Sequence, residues 1–268
     1  MLDKKIGFIG PGKMAKAIVN GIISTSFISP KNIYIYGRTE EKLPYFAEIG
    51  CHTSLNTSES CQVCDIIFLC IKPQNFPEVL QTLQPVVSNK ILYVSIAAGL
   101  TYEKIWGQLG SKVKLIRAMP NTPLLIGKGA TAISGAPNVA SEELSTICNV
   151  FSSCGTVRII DEELMNPIIN VSGSTPAYLY LFAKHINNYA VEQGIPRETS
   201  MQLFCQTLIG SASMLLNTGL SEDELITMVA SKGGTTQAAL DVFEQGGFKE
   251  IIDKALDACM RRAEELGK

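Results

Sequence analysis

The run Gly7-Phe8-Ile9-Gly10-Pro11-Gly12-Lys13-Met14-Ala15 constrains this chain more than any other stretch. An apolar segment passes directly into G-x-G-x-x-A and then into a helical pattern from Lys13 to Ser24. A strand that turns so tightly into a helix places the helix's N-terminal amides and the positive end of its dipole beside the strand end, where a pyrophosphate can sit. Gly10 makes the turn, Gly12 admits the phosphates close to the backbone, and Ala15 lets helix and strand pack closely. A glycine triplet alone says little; the strand before it and the helix after it make it a dinucleotide-binding prediction.

The downstream sequence extends that unit. Short β-branched runs alternate with helical patterns and predict strands at Lys5 to Gly10, Asn32 to Tyr36, Asp65 to Ile71, Ile91 to Ser95, Lys112 to Arg117, Ala130 to Ser134 and Thr156 to Ile159. The runs are continuously apolar, as strands covered by helices on both faces are. The fold class is therefore α/β: an N-terminal Rossmann-type, doubly wound, mostly parallel sheet over residues 1–160.

After Asp161 strand signals stop. Helix-start residues recur at Asp161, Ser174-Thr175-Pro176, Pro196 and Ser221, so residues 161–268 are expected to form an all-helical domain joined by a tight hinge near 160. Its segments are strongly apolar, as from Leu203 to Leu216, where Gly210, Ser211, Ala212 and Ser213 permit close helix approach. A helical domain this apolar beside a complete sheet domain predicts burial against another subunit.

Composition narrows the partners. The 268 residues are 46% hydrophobic and 18% charged with a net charge of -2, so no excess positive field is available for nucleic acid. Apolar runs such as Ile66 to Ile71 are too short to span a bilayer, and the first residues do not match a signal peptide, which predicts a cytoplasmic protein with no membrane partner. Cys51, His52, Cys61, Cys64 and Cys70 fall within twenty residues, and Cys61 and Cys64 have C-x-x-C spacing. No second pair at ligand spacing is present downstream, so these are expected to be structural thiols and no metal site is predicted.

The second strand ends in Tyr36-Gly37-Arg38, where NAD sites usually carry an acid for the ribose 2′-hydroxyl. Here Gly37 leaves room and Arg38 offers a guanidinium suited to a 2′-phosphate, which predicts NADPH in preference to NADH. Other strands reach the same ligand-binding edge at Cys70-Ile71-Lys72-Pro73, Ile96-Ala97-Ala98-Gly99 and Met119-Pro120-Asn121-Thr122-Pro123.

Oxidising a hydroxy acid requires a base, and the two histidines, His52 and His185, are poorly placed for it. Lys184 and Asn188 form a K-x-x-x-N of the kind β-hydroxyacid dehydrogenases use, but Gly173 lies about three helical turns before the lysine, too far for that family's pattern. A protonated imine needs orientation more than acid catalysis. If it also carries a carboxylate, the stretch Ser231-Lys232-Gly233-Gly234-Thr235-Thr236 supplies amides, hydroxyls and the N-terminus of a helix beginning near Thr235. Reduction of an imine that carries a carboxylate is the first reading, a β-hydroxyacid dehydrogenase or a non-catalytic NADP-sensing protein the alternatives.

Together the motifs GFIGPGKM, FLCIKP, VSIAAGL, IRAMPNTP, VSGSTPAY, MVASKGGTTQAAL and EQGGF resemble pyrroline-5-carboxylate reductase along essentially the whole chain. The resemblance implies an oxidoreductase reducing 1-pyrroline-5-carboxylate to L-proline with NAD(P)H, the last step of proline biosynthesis. It implies an intertwined homodimer, extended to a decameric ring of dimers. It implies that Ile9, Gly10, Pro11, Gly12, Lys13 and Met14 hold the pyrophosphate, that Asn56, Cys70 to Pro73 and Ile96 to Ala98 line the rest of the cofactor, and that Asn121 lies near the nicotinamide. Ser231, Gly234, Thr235 and Thr236 are implied to hold the substrate, with Thr236 as the catalytic hydroxyl nearest the imine, and Glu162 to lie near it. Two residues depart from the pattern: Lys232 stands where proline is usual, and Thr175 where glycine or serine is usual.

Overall fold

The computed structural model describes residues 2–110 and 113–267. By contact density the chain forms two compact units, residues 1–176 with 259–268, and residues 177–258. The change from strands to helices comes earlier, after Ile159.

In the first unit the order is β1 (Ile6–Ile9), α1 (Lys13–Ser24), β2 (Ile33–Tyr36), α2 (Pro44–Glu48), β3 (His52–Ser54), α3 (Ser60–Val63), β4 (Ile66–Leu69), α4 (Phe76–Leu83), β5 (Leu92–Ser95), α5 (Tyr102–Leu109), β6 (Lys114–Met119), β7 (Gly129–Gly135), α6 (Ser141–Ser152) and β8 (Gly155–Ile159). The strands lie in one sheet, order β3-β2-β1-β4-β5-β6-β7-β8. Among the described strands every pairing is parallel except β6 with β7, which is antiparallel. The predicted strand from Lys112 begins at Lys114; Lys112 itself lies outside the described residues, as do Met1 and Lys268. The short edge strand β3, with exposed His52, has no apolar run to announce it.

The sheet's two faces explain the unbroken apolar runs. Ile6, Phe8, Ile66 and Phe68 pack on one side with Ile18 and Ile22 of α1 and Ile147 and Phe151 of α6. Their neighbours Ile9, Ile67 and Leu69 pack on the other with Leu80 and Leu83 of α4 and Ile105 and Leu109 of α5. Alternate residues point to opposite faces, so a strand covered on both must be apolar throughout.

Where the sequence suggests a helix start at Asp161, the chain instead makes a 3-10 turn over Glu162–Met165 and a π-turn over Ile169–Gly173. The helices beyond these turns are α7 (Thr175–Glu192), α8 (Arg197–Asn217), α9 (Glu222–Val229), α10 (Thr235–Gln245) and α11 (Phe248–Leu266). Ser221 caps α9, accepting from the Glu224 amide while the Glu224 carboxylate accepts from the Ser221 amide. The second unit leaves large apolar side chains uncovered, among them Tyr180, Leu203, Ile209, Leu216 and Val242, each more than 60% exposed. No described helix is long and apolar enough to cross a membrane.

Candidate functional site

β1 and β4 lie side by side, but β1 continues through α1 to β2 on its other flank, so the chain connections part above their C-terminal ends and leave a crevice. Gly10 starts that crevice at φ 100°, and a Cβ there would sit 2.5 Å from the Cys70 carbonyl oxygen. Both the backbone and the space demand glycine. Gly12 differs: its backbone is ordinary extended chain, and a Cβ would meet nothing within 4 Å. It is the N-cap of α1, makes no side-chain cap, and no acid stands in the helix's first turn. Open space in front of an uncapped helix N-terminus is a cradle that a Cβ would fill, and it fits a dinucleotide pyrophosphate.

The cleft above these glycines has a volume of about 460 Å³ and includes Ile9, Gly10, Pro11, Gly12, Arg38, Cys70, Ile71 and Lys72 among the residues singled out in the sequence. Lys13 and Met14 continue α1, the lysine exposed and the methionine packed against the core. Asn56 is exposed and precedes Thr57, which does line the cleft; Pro73 opens the turn leading to α4. Ile96, Ala97 and Ala98 come directly after β5 at the same sheet edge. Lys42, Asn75 and Glu78 also line the cleft and carry no sequence signal, because a 3-10 turn and the first turn of α4 bring them there.

Gly37 does not leave the room its sequence position suggests. A Cβ there would lie 3.1 Å from both Pro11 Cγ and Leu43 Cδ2, so a side chain at this buried position fits only if those neighbours give by a few tenths of an ångström. Arg38 is exposed, with Nη1 3.9 Å from Oε2 of Glu78.

Asn121 is 8% exposed, and its amide is committed at both ends. Nδ2 donates to the Ser172 carbonyl at 3.1 Å, and Oδ1 accepts from the Ala130 amide at 2.9 Å. The side chain thus ties the loop after β6 to β7 and to the π-turn. Glu162 is likewise engaged: Oε1 accepts from the Tyr102 amide at 2.6 Å and from Arg117 Nη1 at 3.1 Å. Burial lowers the Arg117 pKa, and the Glu162 carboxylate opposes that shift.

Burial raises the thiol pKa values of the cysteine cluster. Burial pushes the Cys64 thiol up to about 12 and raises Cys61 as well, and their sulfurs lie against Tyr36 and Tyr93 hydroxyls respectively. Cys70, at the cleft, is raised by burial too.

In the helical unit, the Gly234 amide donates to the Ser231 carbonyl at 2.9 Å, closing a turn with Lys232 and Gly233 at its centre. Gly233 has φ 72°, the left-handed third position that marks a type II turn. At Gly234 a Cβ would sit 2.6 Å from the rotatable Ser231 Oγ and 3.0 Å from the Ser231 backbone carbonyl, a tight fit. Gly234 is also the N-cap of α10, which has no side-chain cap and no acid in its first turn. Thr235 is exposed; Thr236, half-buried, borders an apolar cavity of about 420 Å³ with Met214, Leu225 and Met228. On α7, Asn188 Oδ1 accepts from Arg197 Nη2 at 2.6 Å.

Residues 162–266 match the family model described as pyrroline-5-carboxylate reductase dimerisation, and residues 5–99 the model described as NADP oxidoreductase, coenzyme F420-dependent. The chain is 37% identical over 268 residues to the pyrroline-5-carboxylate reductase of Escherichia coli (strain K12), covering 100% of both chains. The crystal structure of Plasmodium falciparum pyrroline carboxylate reductase with NADP bound is similar at TM-score 0.92 and 30% identity, covering 100% of both chains. The pyrroline-5-carboxylate reductase of Coxiella burnetii is similar at TM-score 0.87 and 34% identity, again over 100% of both.

Proposed function

The chain belongs to the pyrroline-5-carboxylate reductase family, and we propose on that premise that it reduces 1-pyrroline-5-carboxylate to L-proline through the glycine-lined cleft and the 231–236 turn. A bound NADPH supplies the hydride that the imine carbon accepts. The chain's residues supply the rest. The Gly10–Gly12 turn and the N-terminus of α1 receive the pyrophosphate, and Arg38 meets the 2′-phosphate.

The observation that carries the substrate assignment is the 231–236 turn. It ends in a helix N-terminus that no side chain caps and no acid occupies, behind two glycines, the first at a left-handed φ and the second tightly hemmed by Ser231. Free amides and the dipole of α10 receive the substrate carboxylate. The Thr236 hydroxyl oxygen accepts from the protonated ring nitrogen and orients the iminium for the hydride. Ser231 and Thr235 add hydroxyls to the carboxylate receptor. Glu162 is the acidic residue beside the substrate in this reading, its Oε1 held by Arg117 and the Tyr102 amide.

The match to a dimerisation model and the uncovered apolar helices support a homodimer. A decameric ring of dimers and a cytoplasmic location complete the proposal; light scattering and cell fractionation test them. The activity is tested by adding pyrroline-5-carboxylate to protein and NADPH and following cofactor oxidation and L-proline formation. Stoichiometric proline is expected. Binding of NADPH without turnover would instead make the chain a sensor, and oxidation of β-hydroxy acids would restore the Lys184–Asn188 alternative.

A further inference from the structure

Within the cofactor cleft, Arg38 is not a free cation waiting for a ligand. Its Nη1 lies 3.9 Å from Glu78 Oε2, and both side chains are largely solvated at the cleft's margin. Arg38 comes just after β2, whereas Glu78 stands in the first turn of α4, on the far side of β1 in the strand order. Lys42, on the turn after Arg38, lines the same cleft. Three cations, Arg38, Lys42 and Lys72, and one acid, Glu78, therefore line the cleft, beside Gly37, where a side chain is tightly hemmed by Pro11 and Leu43.

We infer that Glu78 is a specificity-determining residue of this cleft, which competes with a cofactor 2′-phosphate for Arg38 and supplies the ribose acceptor when the 2′-hydroxyl is free. Arg38 and Lys42 attract the dianionic phosphate, and Glu78 both releases its arginine and repels the incoming charge when that phosphate binds. With NADH the balance reverses. No phosphate displaces Arg38, and the Glu78 carboxylate can accept from the ribose hydroxyl, the task that an acid at the end of β2 performs in NAD sites. One acid thus weakens NADPH binding and strengthens NADH binding, which makes the cleft dual rather than strict. The exposure of the pair makes the effect moderate and salt-dependent.

This inference rests on the NAD(P)-binding reading, and binding measurements separate the two. Calorimetry of wild type and Glu78→Gln with NADPH, NADH and adenosine 2′,5′-bisphosphate at low ionic strength is the test. Glu78→Gln is expected to tighten NADPH and the bisphosphate about three- to tenfold and to weaken NADH by a similar factor. Lys42→Ala is expected to weaken NADPH and the bisphosphate severalfold with NADH unchanged. Glu40→Gln, an exposed acid of the same region outside the cleft lining, controls for net charge. Equal changes for both cofactors in Glu78→Gln, or an effect matched by Glu40→Gln, would overturn the inference while leaving the cofactor site intact. Failure of wild type to bind NADPH, NADH or the bisphosphate would remove both readings.

Discussion

Arg117, in the middle of β6 with a side chain 3% exposed, donates from Nη1 to Glu162 Oε1 at 3.1 Å, while its Nη2 donates to Asn166 Oδ1 at 3.2 Å. One guanidinium thereby fastens the sheet to the turn that leads out of it. Replacing Glu162 with alanine leaves that charge buried and short of a counter-ion, at a cost of about 2–4 kcal/mol, less than a fully buried pair because Glu162 is partly solvated. Urea unfolding measures the loss. The double variant Arg117→Met, Glu162→Leu is expected to be more stable than Glu162→Ala; equal instability would show that the pair's charge is not what matters.

The two glycines of the first turn separate folding from binding. Gly10→Ala forces a Cβ against the Cys70 carbonyl at a left-handed φ, so it is expected to cost about 2–4 kcal/mol of stability and to abolish cofactor binding. Gly12→Ala meets nothing in the protein and keeps the wild-type melting temperature. Its Cβ fills the space proposed for the pyrophosphate, and cofactor affinity is expected to fall at least about tenfold. Thermal melts with cofactor titrations distinguish the two.

Glu143, at the start of α6, gives a pH-dependent contribution. Burial alone would raise its pKa, but hydrogen bonds from Lys114 Nζ at 2.7 Å and the Ala140 amide at 3.0 Å outweigh it and hold the carboxyl below the usual range. A depressed folded-state value means stability that is present above the unfolded value of about 4.3 and lost as pH falls through the folded one. Glu143→Gln is expected to cost about 1–2 kcal/mol at neutral pH. The gap from wild type should close as unfolding is repeated at successively lower pH below about 5; a gap that stays constant would assign the effect to packing.

Thr236→Val keeps the shape of the first turn of α10 and removes its hydroxyl. Turnover is expected to fall about ten- to a hundredfold, with a smaller change in KM, because the bond acts on the reacting nitrogen. Near-wild-type kcat would exclude Thr236 from the chemistry.

Lys232 occupies the second position of the 231–234 turn, and Gly233 at φ 72° the third. That second position of a type II turn favours proline. Lys232→Pro is expected to stabilise the chain by about 0.4–1 kcal/mol through the unfolded state and to lower the substrate KM by presenting a preformed turn. A raised KM would show instead that the lysine charge contributes to carboxylate binding.

Much of the fold was written in local sequence. The unbroken apolar runs determined a sheet covered on both faces, since side chains alternate along a strand and both sets must leave water. GFIGPGKMA determined the strand-turn-helix and its uncapped N-terminus, and SKGGTT the break before α10, because glycine and capping chemistry act within a few residues. Tertiary structure decided what depends on meeting across the chain. β6 and β7 run antiparallel, and an edge strand of three residues at β3 has too little apolar content to be seen. Asn121 spends its amide on Ser172 and Ala130, Glu162 its carboxylate on Arg117 and Tyr102, and Gly37 is closed in by Pro11 and Leu43. Glu78 faces Arg38 from forty residues away only because β1 and β4 are neighbours in the sheet. Local sequence fixes which backbone shapes are cheap; only the packed fold fixes which side chains must share a partner.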